Sequence, residues 1–207
     1  MNYFEIFITT LKIAFIGTFI CFFVSLSIIL VVKKYNKLKS LFDFITTLPL
    51  ALPPVISGYF IVFISNGNLS FEWIGGSIAC AVISLPLVYR MIFITISNID
   101  KKLINTSKIL GANKKDTFIF VIFPMIKNGI ISALFLGFIR SISEFGATMI
   151  VAGNISGKTQ TLSTAIYTSI QTGNQMSIFI LSMLSILIAV ISIFIFNYIN
   201  KKDGLVL

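Results

Sequence analysis

The chain has 207 residues, of which 57% are hydrophobic and only 11% are charged, and its mean hydropathy is +1.00. Soluble domains carry about 25% charged residues, so this composition excludes a soluble enzyme and predicts an all-α integral membrane protein. The net charge of +9 comes from basic residues between apolar runs, which favours membrane orientation over nucleic-acid binding as its cause.

Five apolar stretches are long enough to cross a bilayer, since a hydrocarbon core about 30 Å thick needs roughly 20 helical residues. The predicted spans cover residues 6–32, 44–65, 73–97, 125–151 and 176–199. Lys33 and Lys34 follow the first span where a signal peptide would have a cleavage site, so we interpret it as a retained span. No repeat or linker divides the chain, and residues 1–207 are predicted to form one transmembrane domain.

Span 2 contains three prolines, Pro49, Pro53 and Pro54. Each proline lacks a backbone donor and restricts the residue before it, and the carbonyls freed in lipid need partners inside the protein. We therefore predict a kinked helix buried against its neighbours. Whether the kink is purely structural or lies beside a pathway stays open.

The segment of residues 98–124 is too long for a simple turn between spans 3 and 4. Its pattern predicts a short amphipathic helix, a glycine turn at Gly111, and a second helix broken by Pro124. Such a compact knob on the membrane face suits a helix-in-groove contact with a partner. An ordinary connecting loop is the alternative.

Three ionisable residues lie at membrane depth, namely Arg90 in span 3 and both Arg140 and Glu144 in span 4. Such groups are costly in lipid and usually face the bundle interior or a wet cavity. Arg140 and Glu144 are four residues apart, so they share a helix face and can pair. The pair is either an internal salt bridge that fixes packing or part of a translocation path.

The segment after span 4, residues 153–175, is rich in Ser, Thr, Asn, Gln and Gly, and we expect it to fold back toward the bundle. Residues 152–159 fit a relaxed phosphate-loop pattern. A phosphate loop follows a buried strand and opens a helix, whereas this stretch follows a membrane span. We interpret it as the turn that ends span 4.

Basic residues are distributed unequally between the two sides of the predicted bundle. Eleven lie in the connections after spans 1 and 3 and in the tail, which includes Lys201 and Lys202, and two, Lys12 and Lys158, lie on the other side. The positive-inside rule then predicts an outside N-terminus, a cytoplasmic C-terminus and an odd number of spans.

Residues suited to catalysis or to metal binding are scarce. Histidine is absent, and Cys21 and Cys80 are isolated in apolar stretches. We therefore predict no catalytic residue, no metal site and no bound cofactor, which argues against an intramembrane enzyme. A stand-alone channel is a further alternative, but the long basic loop favours a chain that works with a partner.

The loop resembles the signature loop of permease subunits of ABC importers. That pattern is Glu-Ala-Ala, three residues, Gly, nine residues, then Ile-x-Leu-Pro. Here Asn105-Thr106-Ser107, Gly111 and Val121-Ile122-Phe123-Pro124 follow the same register, with Asn105 in place of the acid.

Within that family, the chain resembles the molybdate permeases. The resemblance rests on residues 48–59, 84–90, 140–162 and 165–168, above all on Glu144-Phe145-Gly146-Ala147-Thr148. Ser143 stands where the family pattern usually has Gly. Sulfate permeases share the Glu-Phe-Gly start but usually diverge beyond it, so tungstate or sulfate/thiosulfate transport is the alternative.

The resemblance implies the type I ABC importer permease fold in a bacterial or archaeal cytoplasmic membrane. It also implies the partners: a second permease copy, two ATPase subunits that hydrolyse the ATP, and an extracytoplasmic molybdate-binding protein. The chain itself would then not be an enzyme. The residues expected to couple to the ATPase are Asn105, Thr106, Ser107, Lys108, Leu110, Gly111, Ala112 and Pro124.

The family mechanism needs a path for the oxyanion, and hydroxyl groups and helix ends ease its passage without tight binding. The alternative role of such hydroxyls is to satisfy local backbone groups. The candidate path or gate residues are Ser57, Arg140, Glu144, Thr148, Ser163 and Thr164.

Overall fold

A computed structural model describes residues 2–201, with the side chains of residues 2–199, and this part of the chain is built from helices and turns. The helices are α1 Tyr3–Lys34, α2 Lys39–Ala51, α3 Pro54–Ile64, α4 Trp73–Ser97, α5 Lys101–Ile109, α6 Lys114–Asp116, α7 Phe123–Ile142, α8 Gly146–Val151, α9 Leu162–Gln171 and α10 Gln175–Lys201. A 3₁₀ turn, Asn36–Leu38, joins α1 to α2, and a π-helical turn, Thr117–Ile122, joins α6 to α7.

Four helices of the described part are long and apolar enough to cross a membrane: α1, α4, α10 and the continuous helix Lys114–Ile142 that contains α6 and α7. The bent pair α2 and α3 makes a fifth if it counts as one span. Predicted spans 1, 3 and 5 are thereby confirmed, although Lys202 of the basic tail lies outside the described residues. We call the end of the bundle that carries α5 the loop end, and the opposite end the far end.

Helix α4 lies at the centre of the bundle and packs against α1, α7 and α8. Its buried face consists largely of small residues, and small residues let membrane helices approach closely. One close approach faces Gly17 of α1, where an added Cβ would lie 2.7 Å from the Ser77 carbonyl oxygen and 2.8 Å from the Cys80 Cβ. The α1–α4 contact therefore depends on the absence of a side chain at Gly17.

A Gly17→Val variant is expected to be less stable by about 1–3 kcal/mol, the usual cost of overpacking. For a chain of this size, that corresponds to a melting temperature lower by about 2–10 °C in detergent. Phe23→Leu is the matched control, because Phe23 lies on the same helix but is exposed to the surroundings. Equal melting temperatures for the two variants would contradict the packing argument.

Span 2 is not one kinked helix, because α2 and α3 meet at an angle of 118°. Leu52 and Pro53 both have extended backbone with ψ near 140°, which is the conformation forced on a residue that precedes proline. Helix α3 packs against α8, but α2 buries only Thr46 within this chain. The predicted bend at the prolines is confirmed, but it is a break between two helices and not a kink in one, and within this chain only part of the span is buried against neighbours.

Span 4 also differs from the prediction, at both ends. It begins at Lys114, because the π-helical turn Thr117–Ile122, directly before Phe123 and Pro124, lets the helix continue past the proline ring. The prediction that proline breaks this helix is therefore wrong. At the other end, α7 stops at Ile142, and α8 begins only at Gly146, so the continuous span predicted to residue 151 is interrupted at Glu144.

The segment after α8 folds back onto the bundle as expected, and its helix α9 packs against α10 and α1. At the buried N-terminus of α9, the backbone amides of Leu162, Thr164 and Ala165 have acceptors within the chain. The Leu162 amide donates to the Thr10 hydroxyl of α1 at 2.9 Å, and Thr161 and Thr164 form a capping box. Because these partners are internal, α9 can lie at membrane depth.

Candidate functional site

The ion pair predicted in span 4 is present. Nη2 of Arg140 lies 3.0 Å from Oε2 of Glu144. The Glu144 side chain is only 2% exposed, whereas that of Arg140 is 29% exposed. The carboxylate is therefore enclosed by the protein, while part of the guanidinium remains accessible from outside this chain.

Glu144 sits in the break between α7 and α8 and connects the two helices. Its Oε1 accepts the amide of Ala147 at 2.9 Å, in the first turn of α8, while Oε2 faces Arg140 in the last turn of α7. A carboxylate near a helix N-terminus interacts favourably with the exposed amides. Both carboxylate oxygens are thus occupied, and Arg140 keeps further N–H groups for another partner.

A groove of about 310 Å³ runs between α7, α9 and α10, next to this pair. Its lining is serine on an otherwise apolar wall: Ser143, Ser163, Ser185 and Ser192, with Ile139, Ile142, Ile186 and Ala189. Nη1 of Arg140 donates to the Ser143 hydroxyl at 3.4 Å, which links the guanidinium to the groove.

The serine hydroxyls of the groove are partly committed to the backbone. Ser143 donates to the Arg140 carbonyl and Ser185 to the Leu181 carbonyl, each at 3.0 Å. A hydroxyl that donates its proton to a backbone carbonyl still presents a polar oxygen to the groove. It has no second proton to donate to a ligand. The strongest donor next to the groove is therefore Arg140.

The other candidate hydroxyls lie elsewhere. Ser57 is 6% exposed on α3, one residue before Gly58, whose Cα faces the backbone of Ala147 in α8. Thr148 is 1% exposed, and its hydroxyl lies 3.8 Å from the Cys80 sulfur. Both residues are thus buried around α8 inside this chain, away from the groove.

Thr164 is fully buried in the capping box of α9, where its hydroxyl accepts the Thr161 amide at 2.9 Å. Its neighbour Ser163 is only partly buried and lines the groove. The structure therefore places Ser163 in the groove beside Arg140, whereas Ser57, Thr148 and Thr164 do not line this groove.

The segment of residues 98–124 forms a compact knob at the loop end. Asp100 caps α5, and the helix ends in a Schellman turn in which the amides of Gly111 and Ala112 donate to the carbonyls of Lys108 and Ser107. Gly111 has φ +87°, the left-handed conformation that glycine adopts without strain. The predicted helix and glycine turn are confirmed.

A buried hydroxyl pair fixes the knob to the next helix. Ser107 in α5 and Thr117 at the start of the π-helical turn lie 3.1 Å apart, oxygen to oxygen, and both are buried. Of the other candidate coupling residues, Ala112 is partly buried and the rest are exposed, namely Asn105, Thr106, Lys108, Leu110, Gly111 and Pro124.

The tip of the knob exposes two large apolar side chains. Ile109 is 85% exposed and Leu110 is 81% exposed, directly before Gly111. Lys108 and Lys114, both exposed, are their near neighbours in the sequence. Apolar side chains this exposed beside charged residues mark an interaction surface.

The stretch with the phosphate-loop pattern is a turn, as interpreted. It follows helix α8 and contains Gly153 and Gly157, both with positive φ. The Lys158 ammonium pairs with the Glu72 carboxylate, and the Ile155 amide donates to the Thr159 hydroxyl. Its polar groups thus serve the turn itself and its contact with α4.

Sequence reasoning missed three groove residues, Ser143, Ser185 and Ser192. Ser185 and Ser192 are seven residues apart on α10, which places them on one helix face, and this spacing within a very apolar span was an available signal. Ser143 was noted only as a departure from the family pattern. Its place beside Arg140 follows from the end of α7, which the sequence did not reveal.

Comparisons with known proteins agree with this architecture. The family of binding-protein-dependent transport system inner membrane components matches residues 23–202. The molybdenum transport system permease protein of Haemophilus influenzae is 35% identical over 179 residues, which cover 79% of this chain and 78% of that protein. The sulfate transport system permease protein of Escherichia coli is 29% identical over 146 residues, 64% of this chain and 53% of that protein.

A solved structure described as an amino acid ABC transporter with histidines has the same fold, with a TM-score of 0.72 and 18% identity. The match covers 97% of this chain and 93% of that one. This likeness extends the agreement from sequence to the arrangement of the helices. The chain belongs to the family of inner-membrane permease components of binding-protein-dependent transport systems.

Proposed function

We propose that the chain is the permease subunit of an ATP-driven molybdate importer. The observation that supports molybdate as the substrate is the similarity to the molybdenum permease. This similarity exceeds that to the sulfate permease in both sequence identity and coverage. Two copies form the path at their interface, a substrate-binding protein delivers the oxyanion at the far end, and separate ATPase subunits supply the energy. The lysine asymmetry supports a cytoplasmic loop end.

The exposed tip of the knob supports docking to the ATPase. Ile109 and Leu110 would be unfavourable in water and lie clear of the spans, so burial in a groove of a partner lowers their free energy. Ser107 and Thr117 join the knob to the helix that continues into α7. Movement of the ATPase would thereby be transmitted toward Arg140 and Glu144 at the other end of that helix.

The groove beside Arg140 supports a path for an anion. A guanidinium that is 29% exposed at membrane depth needs a polar surrounding, and a water-filled interface with a second copy provides one. Its free N–H groups can donate to the oxygens of a tetrahedral dianion in passing. The serines beside it keep the wall polar without binding the ion tightly.

Uptake into proteoliposomes tests the proposal. The chain is reconstituted with its ATPase and binding protein, and ATP-dependent uptake of molybdate and of sulfate is compared at equal concentration. Preferential molybdate uptake is expected. Sulfate uptake without a molybdate preference would assign the chain to the sulfate group, and uptake without the ATPase would contradict coupling.

Ser185→Leu is expected to reduce molybdate uptake about tenfold or more, because the larger side chain projects into the groove. A tenfold loss corresponds to about 1.4 kcal/mol in the barrier. Ser27→Leu is the matched control, since Ser27 also back-bonds to its own helix but is exposed on α1. Equal uptake by the two folded variants would place the path elsewhere.

A further inference from the structure

A lysine and a tryptophan form a pair toward the far end of the bundle. The Lys12 ammonium of α1 lies 3.6 Å from the centre of the ring of Trp73, the first residue of α4. Helix side chains point back toward the helix N-terminus, so this ammonium lies nearer the far end than its own backbone. Membrane proteins place tryptophan and lysine at the boundary between acyl chains and headgroups. The pair therefore indicates the depth of that boundary on the far side.

The carboxylates near Lys12 leave its charge available. Among the described side chains, no carboxylate forms an ion pair with Lys12, and Glu72, directly before Trp73, pairs with Lys158. The exposed Glu5 lies two turns nearer the start of α1, about 10 Å along the helix axis, and its carboxylate faces the turn after α8. At about one Debye length, exposed charges are largely screened. The ammonium thus keeps N–H donors for an anion from outside the chain.

Two adjoining grooves follow the contact between α1 and α7, and we call them together the α1–α7 groove. Their volumes are about 400 Å³ and 230 Å³, and they share Phe15 and Phe138, whose ring centres lie 6.5 Å apart. Lys12 lines the part nearer the far end. The other part is apolar except for Thr18, whose hydroxyl donates to the Ala14 carbonyl. The groove is therefore an apolar furrow with one cation at its far-end mouth.

The length of the α1–α7 groove indicates its occupant. Along α1 it extends from Ile8 to Phe19, which is about 16 Å at 1.5 Å per residue. One leaflet contributes about 15 Å to the hydrocarbon core. An α-helix with its side chains is about 10 Å wide, so a helix would enter a groove of this volume only in part, whereas an acyl chain fits its width. A cation at the boundary above one leaflet of apolar wall matches a phospholipid.

We propose that the α1–α7 groove binds one phospholipid of the far-end leaflet, with its phosphate on the Lys12 ammonium and an acyl chain along Phe15 and Phe138. The ammonium donates to a phosphate oxygen while the Trp73 ring covers its other side. An anionic headgroup is favoured over phosphatidylcholine, because choline brings a second positive charge next to Lys12. The groove shares no lining residue with the groove beside Arg140, so the lipid is independent of the transported substrate.

Fluorescence of Trp73, the single tryptophan of the sequence, tests the headgroup contact. The full-length chain in detergent is titrated with phosphatidylglycerol whose acyl chains carry bromine, a quencher of tryptophan, and separately with brominated phosphatidylcholine. Each variant is compared with its own unquenched signal. Lys12→Gln is expected to lower the affinity for phosphatidylglycerol about fivefold and to remove the preference over phosphatidylcholine, since one lysine near an anionic lipid contributes about that factor. Lys12→Arg, which keeps the charge, should bind as the parent chain does. Equal affinity of Lys12→Gln and the parent for phosphatidylglycerol would overturn the proposal.

The acyl-chain contact has a test of its own. Phe15→Ala is expected to weaken binding of both lipids about threefold or more, because the chain loses the ring that both parts of the groove share. Phe23→Ala is the matched control, since Phe23 is 60% exposed on the same helix, Phe15 is 57% exposed, and Phe23 lies outside the groove. Equal losses in the two variants would show a general lipid belt and overturn the site. If Phe15→Ala does not fold, Phe138→Ala is expected to give the same loss.

Two further arms exclude other occupants. Glycerol phosphate, which has no acyl chain, should not relieve the quenching, and relief at a similar concentration would assign Lys12 to free phosphate esters. The titration is then repeated on the chain assembled with its second copy and its ATPase, where the quenching should persist. Loss of the quenching on assembly would assign the α1–α7 groove to a partner subunit and overturn the lipid proposal.

Discussion

Replacement of Arg140 with glutamine is expected to destabilise the chain by about 3–5 kcal/mol, because it leaves the enclosed Glu144 carboxylate without its cation. For a chain of this length, the melting temperature in detergent should fall by on the order of 10 °C. The Ala147 amide still donates to the carboxylate, but one backbone hydrogen bond does not replace a full positive charge at membrane depth.

The matched control is Arg90→Gln, which removes the same charge from α4. Arg90 is exposed, and no carboxylate forms an ion pair with it among the described side chains, so the expected loss is within about 1 kcal/mol. Equal destabilisation by the two substitutions would show that loss of a guanidinium alone matters and that the buried partner does not.

The double variant Arg140→Gln/Glu144→Gln separates packing from transport. Removal of both charges leaves neutral amides in their place, so most of the lost stability should return. Molybdate uptake should stay low if Arg140 guides the anion. Recovery of both stability and uptake would show that the Arg140–Glu144 pair acts only as an internal salt bridge and has no role in transport.

Much of the fold can be predicted from the sequence because three spans are continuous apolar runs. Their lengths match the bilayer, and α1, α4 and α10 end close to the predicted residues. Spans 2 and 4 could not be predicted in the same way. Three prolines indicate a bend, but its 118° angle depends on how α3 packs against α8.

The sequence has no proline at Glu144 that would indicate a break in the helix. Hydropathy treats residues 125–151 as one apolar stretch, since a single carboxylate changes the average little. In the structure, that carboxylate serves two helices at once, with Arg140 before the break and the Ala147 amide after it. The spacing of four residues predicts the ion pair, but only the packing of α8 shows why the helix stops.

The candidate path shows a similar limit. By residue type alone, four residues are equally good candidates for the path, because each carries a hydroxyl group: Ser57, Thr148, Ser163 and Thr164. The burial of α8 and of the α9 cap removes three of them from the groove and retains Ser163. Ser185 and Ser192, which line the groove together with Ser163, lie on α10, and only the fold brings that helix next to Ser163.

Leu110→Glu is expected to abolish co-purification of the ATPase and to lower ATP-dependent uptake about 30-fold or more. An apolar side chain buried at the centre of an interface can contribute more than about 2 kcal/mol. Leu110 is 81% exposed in this chain, so its replacement should change stability by no more than about 0.5 kcal/mol. A loss of binding at unchanged melting temperature is the predicted signature.

Ile155→Glu is the control for this substitution, because Ile155 is an exposed isoleucine in the turn after α8, on another part of the molecule. Gly111 gives a second check on the orientation of the tip. Open space surrounds its Cα, so a side chain fits there, and the cost arises from φ +87° alone. Gly111→Val should therefore weaken coupling, whereas Gly111→Asn, which tolerates this conformation, should largely retain it.

These three substitutions distinguish a docked tip from a loop that merely connects two spans. A connecting loop would tolerate Leu110→Glu and would respond to Gly111→Val only through stability. A docked tip loses the ATPase in both cases, and the Gly111→Asn variant recovers it because the left-handed backbone still points Ile109 and Leu110 away from the bundle. Retention of the ATPase by Leu110→Glu would place the contact on another part of the knob, and Phe120, 75% exposed, would be the next residue to replace.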